Sequence, residues 1–179
     1  MAVSNATWEA GEVHVLAERL GELCRARGVT VTAAESCTGG GVANAITAVA
    51  GSSDYFETGY VTYANGAKTR LLGVPAPLIE DHGAVSREVV EAMVAGACRE
   101  SGADLAVAVS GVAGPGGGSP DKPVGTVWLA WGSADGVLAE RRHFPGDRRA
   151  VREQAVKAAL AGLIRILEGD RAEALGDTR

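Results

Sequence analysis

The chain has 179 residues, 46% of them hydrophobic, and a net charge of −5 at pH 7, so it can bury one ordinary core. The acidic balance argues against a protein that mainly grips nucleic acid, although a local basic pocket is compatible with it. No stretch approaches the roughly 18 apolar residues that a membrane span needs, and the first residues lack a signal-peptide pattern. We therefore expect a cytoplasmic protein.

The first third of the chain predicts a helix, a strand and a second helix. "EVHVLAERLGELCRARG" has apolar residues at helical spacing and ends at Gly28, a typical position just after a helix. "VTVTAA" is typical of a short buried strand. Thr38 is placed to cap a following helix, "GVANAITAVAG". Ser36 therefore lies between the end of a strand and the start of a helix.

The middle of the chain predicts alternating strands and helices. "FETGYVTYA" and "DLAVAVS" are typical of strands. "NGAKTRLLG" predicts a short helix capped by Asn65, and "SREVVEAMVAGACRESG" predicts a longer helix capped by Ser86. The segment "GVAGPGGGSPDKP" must form a loop, because glycine and proline leave no regular period.

The last part predicts a hairpin and a closing helix. "VGTVWLAW" and "VLAERRHF" are separated by the turn-like "GSADG", which favours an antiparallel pair. "DRRAVREQAVKAALAGLIRILEG" predicts an amphipathic helix. We expect one three-layer α/β/α domain over residues 1–179, with a core at about 12–168 and a polar tail at 169–179. Its mixed sheet should have five or six strands, including the hairpin.

Ser36 lies where α/β sheets usually place ligands. Because capping serines are common, a plain helix cap is the more frequent role of such a residue. Gly39, Gly40 and Gly41 shift this balance. If all three lie in the first helical turn, each costs roughly 1 kcal/mol relative to alanine, which suggests a ligand close to the backbone.

Cys37 is the alternative nucleophile, since a thiolate is intrinsically more reactive and a helix start lowers its pKa. No histidine lies near it in sequence, and buried structural cysteines are commoner than catalytic ones. The three cysteines are odd in number and lack zinc-type spacing, and the three histidines are scattered, so we expect no disulfide and no metal site. These residues are Cys24, Cys37, Cys98, His14, His82 and His143.

A serine nucleophile needs a base, and the segment "VTYANGAKTR" offers one. With Asn65 as the cap, Lys68 falls at the third helical position, where the helix dipole disfavours an ammonium group. That position and partial burial would favour a neutral amine able to take the serine proton, with Tyr63 orienting it or relaying the proton. The alternative is an exposed lysine and a core tyrosine.

Two further strings are weaker. "SPDK", Ser119 to Lys122, matches the S-x-x-K string of penicillin-recognising enzymes, but Pro120 makes the required helix implausible, so we interpret it as chance. "GDRRAVR" places Arg148 and Arg149 in the first turn of the last helix. This position is unfavourable for cations unless an anion such as phosphate binds there. A solvated charge cluster with Asp147 is an equally good interpretation.

Six motifs in this order resemble the CinA carboxy-terminal domain family over roughly Leu16 to Leu167. They are "AESCTGG", "AGSSDYFETGYVTYAN" with the lysine that follows it, "HGAVS", "SGVAGPGGG", "KPVGTVW" and "GDRRAVR". The resemblance implies the stand-alone form of this domain, a homodimer, and a nicotinamide-nucleotide amidase. Such an enzyme hydrolyses nicotinamide mononucleotide to nicotinate mononucleotide and ammonia without a cofactor, and binds neither nucleic acid nor membrane.

The resemblance also implies residue roles. The family nucleophile falls on Ser36, and the tyrosine and lysine of its V-T-Y-x-N-x-x-K motif fall on Tyr63 and Lys68. The family's phosphate-side arginine falls on Arg148. Ser110, next to Gly111, stands where the family often has threonine, so the hydroxyl is kept and a methyl is lost.

Together the residues and the resemblance predict a substrate pocket. Ser36, Tyr63 and Lys68 should carry the chemistry. Backbone N–H groups near Thr38, Gly39 and Gly40 should bind the oxyanion, and the remaining substrate-binding residues should be Ser110, Gly111 and Arg148. The competing hypothesis is a non-catalytic nucleotide- or partner-binding module that uses the same pocket.

Overall fold

The computed structural model describes residues 11–169 and contains six helices and five strands within that range. The helices are α1 Val13–Arg27, α2 Gly41–Thr47, α3 Asn65–Leu72, α4 Ala76–His82, α5 Arg87–Ser101 and α6 Arg148–Glu168. The strands are β1 Val31–Glu35, β2 Tyr60–Val61, β3 Leu105–Gly111, β4 Thr126–Ser133 and β5 Gly136–His143. The predicted polar tail lies outside the described residues, apart from Gly169, which ends α6.

The five strands form one mixed sheet in the order β2-β1-β3-β4-β5. β1 runs parallel to both β2 and β3, whereas β4 is antiparallel to β3 and to β5. Ser133 pairs with Gly136, so only two residues turn the β4–β5 hairpin. The predicted mixed sheet with one hairpin is confirmed.

Alternate residues of the central strand face two separate cores. Leu105, Val107 and Val109 of β3 pack with α1, α2 and α6. Ala106 and Ala108 point to the opposite face and pack with α3, α4 and α5. Because side chains alternate along a strand, β3 is buried on both faces, and the three-layer arrangement follows.

The structure corrects the predicted boundaries at four places. The strand predicted at 56–64 is reduced to β2 and an isolated bridge between Val31 and Phe56. Helix α4 was missed, because its seven residues are too few to show a period. Neither α2 nor α3 has the predicted side-chain cap, since Gly40 and Ala64 occupy the two N-cap positions. Lys68 is therefore the fourth residue of α3.

Helix α6 is seated on the sheet by a tryptophan. The Trp131 indole N–H donates to the Ala159 carbonyl at 2.9 Å, and the indole ring fills the space above Gly162. A Cβ atom at Gly162 would lie 2.1 Å from the ring. Since Trp131 is 1% exposed and cannot move outward, this contact fixes where α6 lies along β4.

We expect Gly162→Ala to lower the free energy of unfolding by about 1–3 kcal/mol or more, because the methyl group would overlap a buried indole ring. Gly66→Ala, a matched change in α3 with no atom within 4 Å of the added carbon, should be neutral or stabilising by about 0.4–1 kcal/mol. Urea unfolding measures both changes. Equal effects of the two substitutions would contradict the packing argument.

Candidate active site

Ser36 directly follows β1 at the carboxyl end of the parallel strands. Its backbone N–H donates to the Val109 carbonyl of β3 at 2.9 Å, so the residue is tied to two strands. The preceding residue, Glu35, accepts a hydrogen bond from the Thr62 N–H through its carbonyl at 2.8 Å. These bonds bring the segment before α3 alongside Ser36.

Lys68 reaches Ser36 from the first turns of α3. Its Nζ atom lies 3.0 Å from Ser36 Oγ, 2.8 Å from the Thr62 carbonyl oxygen and 3.2 Å from the Tyr63 carbonyl oxygen. The side chain is only 1% exposed. The serine and the lysine, 32 residues apart in sequence, thus share one buried contact.

The surroundings of this amine favour its neutral form. Burial lowers the pKa of Lys68 below its ordinary 10.5, opposed by a smaller effect of Cys37. Among residues 11–169 no carboxylate forms an ion pair with it. A neutral amine has two N–H donors and one lone pair. If the Thr62 and Tyr63 carbonyls take the donors, the lone pair faces the Ser36 hydroxyl.

The side chain of Cys37 packs in the core shared by α1, α2 and α6. The residue is 5% exposed, and burial raises the pKa of its thiol to about 11. A thiol with this pKa is protonated at neutral pH, so it is a poor nucleophile. All three cysteines are buried and free.

The hydroxyl of Tyr63 does not contact the Lys68 amine. The side chain is 60% exposed, and its oxygen accepts a hydrogen bond from Arg148 Nη2 at 3.1 Å. Arg148 also donates through Nη1 to the Gly114 carbonyl at 2.9 Å. Tyr63 therefore contacts the Lys68 amine through its backbone carbonyl, and it contacts Arg148, the predicted phosphate-side arginine, through its side-chain hydroxyl.

These groups surround a pocket of about 280 Å³, near the small end of the range for small-molecule sites. Ser36 and Lys68 lie on one side, and Ser110 and Gly111, at the end of β3, lie on another. The glycine-rich loop and Arg148 complete the wall. The lining residues also include Cys37, Tyr63, Asn65, Ala84, Val85, Val112, Ala113, Gly114, Gly116 and Gly117.

Thr38, Gly39 and Gly40 form the turn after Ser36 and are not among the residues that line this pocket. Gly39 and Gly40 lie before α2 rather than in its first turn, with φ angles of 59° and 99°. These left-handed angles favour glycine for backbone reasons alone. The turn is thus a sufficient reason for Gly39 and Gly40, whereas at Gly41 a Cβ atom would lie 2.9 Å from Val156 Cγ2 of α6.

The helix start that follows this turn is already occupied by a protein carboxylate. Glu35, 1% exposed, accepts hydrogen bonds from the N–H groups of Val42 at 2.8 Å and Ala43 at 3.1 Å. A carboxylate at this position satisfies the free amides and the helix dipole. The start of α2 therefore binds Glu35 rather than a substrate anion.

The arginines of "GDRRAVR" point in three directions. Arg148 lines the pocket, whereas Arg149 lies in solvent and pairs with Glu153 at 2.9 Å. Arg152 reaches the turn after Ser36 and donates to the carbonyls of Cys37 at 3.1 Å and Thr38 at 3.3 Å. Asp147 caps α6 through its carboxylate, which accepts from the Ala150 N–H at 2.9 Å.

Sequence reasoning missed Glu35 and Arg152, although both belong to the motifs quoted above. An acidic residue between a strand and a glycine-rich helix start is a usable signal for Glu35. For Arg152 the i,i+4 spacing from Arg148 indicates a shared helix face, but not what that face contacts. Lys122 lies in a loop, donates to the His82 carbonyl at 2.8 Å and is not among the residues that line this pocket.

No group of three or more histidine, cysteine or acidic side chains placed to hold a metal occurs within residues 11–169. Within the same range, no helix is long and apolar enough to span a membrane.

Fold and site together define an α/β protein whose pocket joins a serine hydroxyl, a buried amine and an arginine. Residues 13–167 match the family model described as the CinA C-terminal domain. The chain belongs to the CinA C-terminal domain family.

Similar proteins cover nearly the same region. The chain is 65% identical over 154 residues to nicotinamide-nucleotide amidohydrolase PncC of Pseudomonas putida, covering 86% of this chain and 96% of that protein. It is 54% identical to PncC of Escherichia coli K12, covering 85% and 93%. A crystal structure of competence damage-inducible protein A from Klebsiella pneumoniae superimposes with a TM-score of 0.86 at 41% identity, covering 89% of this chain and 99% of that chain.

We expect the burial of Lys68 to make stability depend on pH. Because the folded-state pKa is lowered, the unfolded chain binds more protons between that pKa and 10.5, and wild-type stability should rise with pH across this window. Lys68→Met lacks this proton. Urea unfolding should therefore show the wild type gaining stability relative to the variant as pH rises. A difference independent of pH would contradict the lowered pKa.

Proposed function

We propose that this protein is a nicotinamide-nucleotide amidohydrolase, which converts nicotinamide mononucleotide to nicotinate mononucleotide and ammonia. The observation that carries the proposal is the 3.0 Å contact between Lys68 Nζ and Ser36 Oγ at the wall of the pocket. The names of the curated relatives from Pseudomonas putida and Escherichia coli support the same substrate.

In this proposal the two ends of the pocket bind the two ends of the substrate. Arg148, which forms no ion pair with residues 11–169, binds the phosphate. Guanidinium groups suit phosphate because they present several fixed donors. The carboxamide lies against Ser36, with the Ser110 hydroxyl and the Gly111 backbone beside the pyridine ring.

The first half of the reaction forms an acyl-enzyme. Ser36 Oγ attacks the carboxamide carbon while the neutral Lys68 amine takes the hydroxyl proton. In this proposal the negative oxygen of the tetrahedral intermediate is stabilised by the Thr38 N–H, which has no acceptor among residues 11–169 and directly follows Cys37 of the pocket wall. The carbon–nitrogen bond then breaks, and the proton passes from Lys68 to the leaving nitrogen, which departs as ammonia.

The second half regenerates the serine. Water attacks the ester carbon and gives a proton to Lys68, and the bond to Ser36 Oγ breaks as that oxygen regains the proton. Lys68 is better placed than Tyr63 to move protons, because the Tyr63 hydroxyl accepts from Arg148. In our proposal Tyr63 instead orients Arg148 and covers one side of the substrate.

Two finer predictions accompany this proposal. The family resemblance predicts a homodimer, and the composition predicts a cytoplasmic protein. The competing function is a module that binds the nucleotide without cleaving it, and it shares the pocket but needs no neutral amine.

Purified protein incubated with nicotinamide mononucleotide should release ammonia, measured by a coupled enzyme assay. Ser36→Ala should lower kcat at least about 10³-fold, because the nucleophile is lost. Cys37→Ala is the matched control and should keep most of the activity. Saturable binding of the nucleotide by wild type without ammonia would support the binding module. Loss of activity in Cys37→Ala alone would move the nucleophile to the thiol.

Arg148→Met should raise KM for nicotinamide mononucleotide by about 10- to 100-fold, the usual effect of losing hydrogen bonds to a charged group. The same substitution should change KM little for nicotinamide riboside, which lacks the phosphate. Arg149→Met removes the neighbouring, solvent-exposed arginine and serves as the control. Equal KM effects on both substrates would contradict a phosphate role for Arg148.

A further inference from the structure

Arg152 makes two hydrogen bonds that bear on the nucleophile without entering the pocket. Its Nε atom donates to the Cys37 carbonyl at 3.1 Å, and Nη2 donates to the Thr38 carbonyl at 3.3 Å. Cys37 and Thr38 are the two residues that follow Ser36. Arg152 forms no ion pair with residues 11–169 and is absent from the pocket lining. Its charge is thus directed at backbone.

One face of α6 places this side chain. Arg148, Arg152 and Val156 follow each other at intervals of four residues and therefore share a face. Arg148 lines the pocket, and Val156 Cγ2 lies 2.9 Å from where a Cβ of Gly41 would stand. Arg152 lies between them and reaches the carbonyls of Cys37 and Thr38.

The hydrogen bonds of Arg152 control the N–H groups of the same peptide units. In a trans peptide the C=O and N–H bonds point in opposite directions. The Cys37 carbonyl shares its peptide unit with the Thr38 N–H, and the Thr38 carbonyl shares its unit with the Gly39 N–H. The Thr38 carbonyl also accepts from the Gly41 N–H at 3.0 Å, so Arg152 bears most directly on the Cys37 carbonyl and on the direction of the Thr38 N–H.

The two N–H groups have different partners. The Gly39 N–H donates to the Ser36 carbonyl at 3.0 Å and closes the turn. The Thr38 N–H has no acceptor among the residues that the structure describes, although Thr38 is 1% exposed. A charge-assisted hydrogen bond at a carbonyl polarises its peptide unit and strengthens the N–H as a donor.

We propose that Arg152 is a positioning residue that orients and polarises the Cys37–Thr38 peptide unit, so that the Thr38 N–H can bind the oxyanion. The inference rests on the proposed function for its substrate, but not for its effect on Ser36. Arg152 does not touch the substrate. Its loss should therefore slow the chemical step and leave substrate binding almost unchanged.

The test compares Arg152→Met, Arg152→Ala and Arg152→Lys with Arg149→Met, a control on the same helix that removes a solvent-exposed arginine. For nicotinamide mononucleotide, Arg152→Met should lower kcat by about 10- to 100-fold, less than the direct loss of an oxyanion donor. KM should stay within about twofold. Arg152→Lys should recover part of kcat, because one ammonium group can reach one carbonyl but not span both. Added guanidinium should restore part of kcat to Arg152→Ala.

A second readout does not need the nucleotide. In the reaction with a fluorophosphonate, Ser36 Oγ bonds to phosphorus, fluoride leaves and Lys68 takes the proton, so mass spectrometry can follow labelling of Ser36. Arg152→Met should slow this labelling in parallel with kcat. If wild type is labelled but releases no ammonia, the proposed substrate fails while Arg152 is still tested.

Two results would overturn the inference. One is labelling and kcat in Arg152→Met equal to those in Arg149→Met. The other is a loss of kcat in Arg152→Met that parallels a loss of stability in urea, is not seen in Arg152→Lys, and is not restored by guanidinium in Arg152→Ala. That pattern would be expected of an arginine with a purely structural role.

Discussion

The geometry of this site is organised around one buried amine. Lys68 Nζ lies against two backbone carbonyls and one hydroxyl in a space that excludes solvent. A charged ammonium group there would have no carboxylate of residues 11–169 to compensate its desolvation, so burial favours the neutral base. If the two carbonyls accept the N–H bonds of a neutral amine, its lone pair faces the serine. In the proposed reaction, this backbone geometry replaces the histidine of the serine–histidine–aspartate triad.

The sheet brings this amine together with groups from its other face. β2 lies on one side of β1 and β3 lies on the other, so the chain adds strands to both sides of β1. Such a topological switch point is where α/β folds form ligand crevices. Helix α3, on one face, supplies Lys68, and helix α6, on the opposite face, supplies Arg148 and Arg152. The pocket therefore depends on how both layers are seated. The Trp131 contact with Ala159 and Gly162 seats the second of them.

The charged side chains near the turn after Ser36 fall into two groups: some bind backbone groups of the protein, and one faces the pocket. Glu35 occupies the amides at the start of α2, and Arg152 occupies two carbonyls of the turn. Both side chains satisfy backbone groups of the protein itself. Arg148, one helical turn before Arg152, is left to face the pocket. The turn is thus held at both ends by charged side chains, and its conformation does not rely on the substrate.

Local sequence was sufficient for most elements, because hydrophobic period, capping residues such as Ser86 and Asp147, and glycine act over a few residues. Local sequence did not predict the helix starts that are determined by tertiary contacts. Asn65 and Thr38 have the chemistry of caps, yet Ala64 and Gly40 take those positions, because the segments are held by β1 and Glu35 rather than by a cap. The left-handed φ angles of Gly39 and Gly40 show why a sequence alone cannot distinguish the two causes, since a backbone requirement and a close ligand both select glycine.

The sequence by itself determined that a serine after a buried strand, a lysine in a short helix and basic residues in the last helix were the groups to consider. Only the tertiary structure decided that Lys68 contacts Ser36 and that Cys37 points into the core. It also decided that Arg148 faces the pocket, Arg149 lies in solvent and Arg152 contacts the turn after Ser36. The physical reason is distance along the chain. Contacts between groups 32 or 115 residues apart are set by the packing of both helical layers on the sheet, which no local pattern encodes.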